Sequence, residues 1–67
     1  MAKAENYQIE EQNVNGADLK ITTYQIGEQF YCHIENKDPG ATIARAEGID
    51  REEARQRALA KAQKRLQ

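Results

Sequence analysis

Asp50-Arg51-Glu52-Glu53-Ala54-Arg55, running on to Leu66-Gln67, is the stretch on which the fold turns. Asp50 is a short acceptor of the kind favoured at a helix N-cap, and Glu53, three residues on, completes a capping box. Ile49 and Ala54 occupy the positions of a hydrophobic staple. From Arg51 to Gln67 there is no Gly, Pro or β-branched residue, and nearly every residue is a good helix former. The spacing predicts a helix over about residues 51–66. Ala54, Ala58, Leu59, Ala62 and Leu66 fall within one arc of it. Small alanines in that arc allow the helix to lie close against a sheet.

Ahead of the helix, the sequence reads as strands. Phe30-Tyr31-Cys32-His33-Ile34-Glu35 alternates, with Phe30, Cys32 and Ile34 on one face and Tyr31, His33 and Glu35 on the other. Asp38-Pro39-Gly40 is a turn signal, and Ala41 to Ala46 forms a further short strand in which Ile43 is the only large apolar residue. Ala17 to Ile26 is rich in β-branched and aromatic residues. Leu19, Ile21 and Thr23 share one of its faces, and Tyr24 and Ile26 the other. The change of parity near Thr22-Thr23 suggests a bulge or twist there. Asn15-Gly16 suits a tight type I′ hairpin. Tyr7-Gln8-Ile9-Glu10-Glu11 alternates as a half-buried strand does. Residues 1–6 are small and polar and read as a flexible end.

The expected architecture is α+β: an antiparallel three- to four-stranded sheet packed against one C-terminal helix, in the order β-β-β-β-α. Strands are expected at about 7–14, 17–26, 30–36 and 41–46, within a single domain spanning 1–67.

Composition narrows the function classes. A chain of 67 residues leaves no room for a layered catalytic cleft. So short a domain buries only about 60% of the surface its unfolded form exposes, so a partner chain would help it. No apolar run approaches a membrane span, and Met1-Ala2-Lys3-Ala4-Glu5 lacks the apolar core of a signal peptide. The single cysteine, Cys32, excludes an internal disulfide and suits a reducing compartment. A cytoplasmic location is therefore expected.

Charge is distributed unevenly. Residues 1–50 carry four basic and nine acidic side chains, a net of −5; residues 51–67 carry six basic and two acidic, a net of +4. Arg57, Lys61, Lys64 and Arg65 lie at i, i+4, i+7 and i+8, a basic ridge along one flank of the helix. Such a ridge is either a contact surface for phosphate or an acidic partner, or a solvated face whose late cations suit the helix dipole.

The stretch from about residue 27 to residue 66 resembles the last two strands and final helix of the double-stranded-RNA-binding domain. The resemblance rests on Phe30-Tyr31-Cys32-His33-Ile34, Ala41 to Gly48, and Asp50 to Arg55. Arg51 and Arg55 fall on the first and third basic positions of that family's Lys-Lys-x-Ala-Lys cluster, and Ala54 on its alanine. Glu52 stands where the family has its middle lysine, and the family's N-terminal helix is replaced by a strand and hairpin. The resemblance implies phosphate contacts from the helix start. The same β-β-β-α plan is similar to HicB-like antitoxin domains, which implies a protein partner.

No constellation for catalysis stands out. Cys32 and His33 are neighbours on a strand and so point to opposite faces, which rules out a nucleophile–base dyad. One Cys and one His fall short of a metal site. Glu10-Glu11 and Glu52-Glu53 are the only adjacent carboxylates; the first pair alternates across a strand and the second belongs to the helix start. No catalytic, cofactor or metal residue is expected. Tyr24, Tyr31 and His33 form a partly aromatic open face, suited to cross-strand packing, self-association or base stacking. The expectation is a small non-catalytic binding module with a protein partner or a second copy of itself. The alternative is weak RNA binding through Arg51, Arg55, Arg57, Lys61, Lys64 and Arg65.

Overall fold

Asn15 and Gly16 both take positive φ, 53° and 85°, in the two-residue turn that pairs Val14 with Ala17. Both values suit the type I′ turn, whose twist matches that of the strands it joins. A computed structural model describes residues 3–37 and 40–65. It contains β1 (Ala4–Val14), β2 (Ala17–Ile26), β3 (Gln29–Asn36), β4 (Ala41–Gly48) and α1 (Arg51–Arg65). The strands form one antiparallel sheet in the order β1-β2-β3-β4, and the helix packs on one face. This is the α+β arrangement that the sequence predicts. Leu66 and the Asp38-Pro39 part of the expected turn lie outside the described residues.

The second hairpin is as tight as the first. Ile26 pairs with Gln29, and Gly27 at the first central position has φ 62°. That is the place where a type II′ turn requires a glycine.

The core lies between the sheet and the helix. Leu19 and Ile21 from β2, Cys32 and Ile34 from β3, and Ala44 from β4 meet Ala54, Ala58 and Ala62 of α1. The three alanines are four residues apart, so they form one stripe, and all are completely buried. Phe30, Ile43 and Leu59 pack around this centre. Full burial of a Leu or Ile side chain is worth roughly 1.5–3 kcal/mol. Leu19, Ile21 and Ile34 therefore carry most of the apolar stabilisation.

Gly48 ends β4 where the chain folds back to start the helix. A Cβ placed on it would lie 2.8 Å from Ala54 N and 2.9 Å from Glu53 Cβ and Cγ. The close approach of strand end and helix start therefore depends on the absence of a side chain at this position.

Some details differ from the sequence reading. The irregularity expected near Thr22-Thr23 is not in β2, whose pairing with β3 runs unbroken from Leu19↔Asn36 to Ile26↔Gln29. It lies opposite, in β1 between Glu5 and Gln8, where Asn6 takes φ 55°. Asn tolerates the left-handed conformation that such a bulge demands. A second bulge falls between Ala44 and Thr42 and sets Ile43 off the ladder. β1 starts at Ala4, ahead of the bulge. Ile49 is 76% exposed, so it does not act as a staple on Ala54.

The larger difference is the orientation of β1. The pairing places Gln8, Glu10 and Gln12 opposite Thr23, Ile21 and Leu19, on the helix side. Tyr7 and Ile9 then face away from the helix, 59% and 60% exposed. The turn decides this. A two-residue connection fixes which residues stand opposite, and a side-chain period of two carries that choice along the strand.

Candidate functional site

All three tyrosines of the chain stand in a row on the sheet face that the helix leaves open. Tyr24 on β2 stacks on Tyr7 of β1 at 5.3 Å between ring centroids, and on Tyr31 of β3 at 5.6 Å. His33 meets Tyr24 edge-on at 5.9 Å. The local reason is the register: Tyr24 pairs with Tyr31, while the bulge at Asn6 leaves Tyr7 beside Tyr24. Asn6 Nδ2 donates to Gln25 Oε1 at 2.8 Å and holds the bulge in place. Aromatic pairs of this geometry are worth about 0.5–1.5 kcal/mol when buried. On an open face, the same rings offer a rigid apolar surface.

Charges of both signs surround the row. Lys20 stands between Glu11 and Glu35 across the strands, Arg45 opposite His33, and Glu47 opposite Tyr31. Lys37 Nζ lies 2.9 Å from Glu11 Oε2, and His33 Nε2 lies 3.7 Å from Glu35 Oε1. Three cations (Lys20, Lys37, Arg45) stand among four carboxylates (Glu11, Asp18, Glu35, Glu47). The face is close to charge balance, one carboxylate in excess, with an aromatic centre and a polar rim.

The helix cations are largely engaged with the chain's own sheet. Arg51 donates from Nε to Thr23 Oγ1 at 3.2 Å and from Nη2 to the Asn6 carbonyl at 2.5 Å, and its guanidinium lies over the Phe30 ring at 5.4 Å. Arg55 grips Glu10 with two nitrogens, at 2.6 and 3.3 Å, and also lies 3.8 Å from Glu52. The hydrogen bond to Glu10 raises the Arg55 pKa further. Arg57 Nη1 donates to the Glu47 carbonyl at 3.1 Å and lies 3.5 Å from Glu53. Lys61 Nζ donates to the Arg45 carbonyl at 2.9 Å. Lys64 and Arg65 are exposed and border a cleft against Thr42 and Ile43 of β4. Of the six cations expected to reach a phosphate or a partner, four thus make contacts within the molecule.

Cys32 lies in the core between Phe30 and Ile34, 2% exposed. Burial pushes its thiol up to about 11, against a smaller opposing effect of Arg55. A thiol so shielded is almost fully protonated at neutral pH and a poor nucleophile. His33 points to the other face, beside Tyr24. Among the described residues no group of three or more His, Cys, Asp or Glu side chains is placed to hold a metal ion.

Sequence reasoning found Tyr24, Tyr31 and His33 but missed Tyr7 and Ile9. The signal was in the Asn15-Gly16 turn. Counting back from Val14↔Ala17 puts Glu10 beside Ile21 and turns Ile9 outward. No family model, curated protein or solved structure matches the chain.

Proposed function

We propose that this chain is a non-catalytic protein-binding module whose docking surface is the open sheet face around Tyr7, Tyr24 and Tyr31. The observation that carries the reading is the tyrosine stack on the open face, Tyr7 exposed and Tyr24 and Tyr31 half-buried, within a rim of mixed charge. Tyrosine is enriched at the centres of protein interfaces, where charged residues are depleted and a polar rim surrounds the contact. Single-stranded nucleic acid also stacks on aromatic rings, but its backbone needs a positively charged groove. A face with more carboxylates than cations on an acidic sheet does not supply one. Duplex RNA would have to use the helix start, where Arg51 and Arg55 already hold Thr23, Asn6 and Glu10. Cys32 as a protected free thiol fits work in the cytoplasm, where thiols stay reduced. Among the described residues no helix is long and apolar enough to cross a membrane.

The test is capture from nuclease-treated source-cell lysate on immobilised wild type and on Tyr24→Ser/Tyr31→Ser. A protein retained by wild type and lost by the variant is expected. A parallel titration with an RNA duplex of about 20 base pairs covers the span that duplex-binding domains read. Sub-micromolar binding, lost in Arg51→Ala/Arg55→Ala, would replace the protein reading with an RNA one.

A further inference from the structure

The two edges of the sheet are treated differently. At β4 the carbonyls of Arg45 and Glu47 face outward and accept hydrogen bonds from Lys61 and Arg57, so helix side chains cover that edge. At β1 the helix reaches only the Asn6 carbonyl at the bulge, through Arg51. The tight turn makes Val14↔Ala17 a hydrogen-bonded pair, and alternation then gives Gln12↔Leu19, Glu10↔Ile21 and Gln8↔Thr23 as the other bonded pairs. Asp18 obeys the same alternation, since its carbonyl turns away from β1 and accepts from Lys37 N at 3.0 Å. The backbone groups of Ile9, Glu11 and Asn13 are therefore directed away from β2. Among the described residues no side chain caps them.

We propose that β1 pairs antiparallel with β1 of a second copy of this chain, about a two-fold axis at Ile9, joining two four-stranded sheets into one. The inference goes beyond the tyrosine face as a docking surface and does not depend on it. Self-pairing must set outward-facing amides opposite one another, so only every second register is available. Of these, an axis at Glu10 or at Glu11 puts that carboxylate against its own copy. An axis at Gln8 sets Glu5 against Glu11 and draws the Asn6 bulge into the ladder. An axis at Gln12 or beyond runs the strand into the Asn15-Gly16 turn. With the axis at Ile9, the two Ile9 side chains meet, Tyr7 stands opposite Glu11 of the second copy, and Gln8 opposite its Glu10. No like charges oppose each other, and the exposed Ile9 is covered.

The arrangement closes on itself. The bulge ends the shared ladder on one side and the turn on the other, and β4 offers no second open edge. A two-fold contact of this kind stops at two copies. It also adds apolar contact to a strand whose one apolar side chain against the core is Val14.

The test is mass by sedimentation equilibrium up to about 1 mM, the range in which weak association is read, with hydrogen exchange alongside. Wild type is expected at the mass of two 7.6 kDa chains. Ile9→Pro removes only an N–H that β2 does not use, and Ile9→Lys places a cation against its copy at the axis. Both are expected to run as monomers with unchanged far-UV circular dichroism. If Ile9→Pro unfolds, Ile9→Lys still decides. In wild type the Ile9 and Glu11 amides should be protected, and in Ile9→Lys the amides at positions 9 and 11 should exchange fast, while those of Gln8 and Glu10 stay protected in both. Tyr24→Ser/Tyr31→Ser should remain a dimer even where it loses a captured protein, which separates this inference from the face reading. A wild type monomeric throughout, or a dimeric Ile9→Lys, overturns it.

Discussion

Arg55 on the helix and Glu10 on the edge strand are held in a two-point pair, Nε to Oε1 at 2.6 Å and Nη2 to Oε2 at 3.3 Å. This contact helps tie β1 to the rest of the molecule, because β1 sets only Val14, at its turn end, against the core. Arg51 reinforces it by binding the Asn6 carbonyl at the bulge. The helix start thus acts as a polar clamp on the sheet edge.

Breaking that clamp should loosen β1 more than it unfolds the domain. Glu10 is 46% exposed, and solvent-exposed pairs contribute about 0.2–1 kcal/mol. Glu10→Gln is therefore expected to lower global stability by no more than about 1 kcal/mol. Amide exchange of Gln8, Glu10 and Gln12 should quicken, while Ile21 and Ile34 stay slow. Uniform acceleration across the sheet would show that β1 unfolds only with the core.

Asp50 caps the helix, since its Oδ1 accepts from Glu53 N at 2.8 Å. Glu53 returns a contact from Oε1 to Ile49 N at 3.1 Å. Asp50→Ala should cost about 1 kcal/mol. In a domain of this size that lowers the melting temperature by about 4–8 °C. Glu53→Ala should cost less, because its acceptor serves a more exposed donor.

Gly48→Ala should be worse than either. The new methyl would sit 2.8 Å from Ala54 N, and backbone does not swing aside as a surface side chain can. The helix start must shift, and overpacking of this kind costs typically about 1–3 kcal/mol. Thermal unfolding of Gly48→Ala beside Gly48→Ser tests it: the larger side chain should be at least as harmful. A wild-type melting temperature in both would mean that the strand end and helix start have room to part.

Cys32 should make stability fall at high pH. Its folded-state pKa, about 11, lies above the ordinary thiol value of 9.0, so the fold favours the protonated thiol. That contribution is complete below pH 9 and is lost as pH rises toward about 11. A shift of this size corresponds to about 2–3 kcal/mol. The measurement is the difference between wild type and Cys32→Ala across pH 8 to pH 11, which isolates the thiol from every other group. The gap should shrink or reverse as pH rises. A thiol reagent should also label the folded protein slowly, and fast labelling would place Cys32 on an accessible face.

What the sequence determined by itself is the part governed by short-range energetics. Asn15-Gly16 tolerates the positive φ that a two-residue hairpin demands, Asp50 and Glu53 satisfy the first-turn N–H groups, and alternation sends Phe30, Cys32 and Ile34 to one side. Each outcome depends on residues within a few positions of one another, so spacing and side-chain type suffice. Tertiary structure alone decided where the extra residue in the first hairpin falls and what the helix cations touch. The outward turn of Ile9, by contrast, follows from the register that the Asn15-Gly16 hairpin sets, though hydrophobicity alone does not show it. Arg55 and Glu10 are 45 residues apart in the chain. A long cation carries no local mark of whether it will meet solvent, a phosphate or a carboxylate on a distant strand. The choice is made when the sheet brings that carboxylate within reach, because the strength of an ion pair depends on distance and burial and not on separation along the chain.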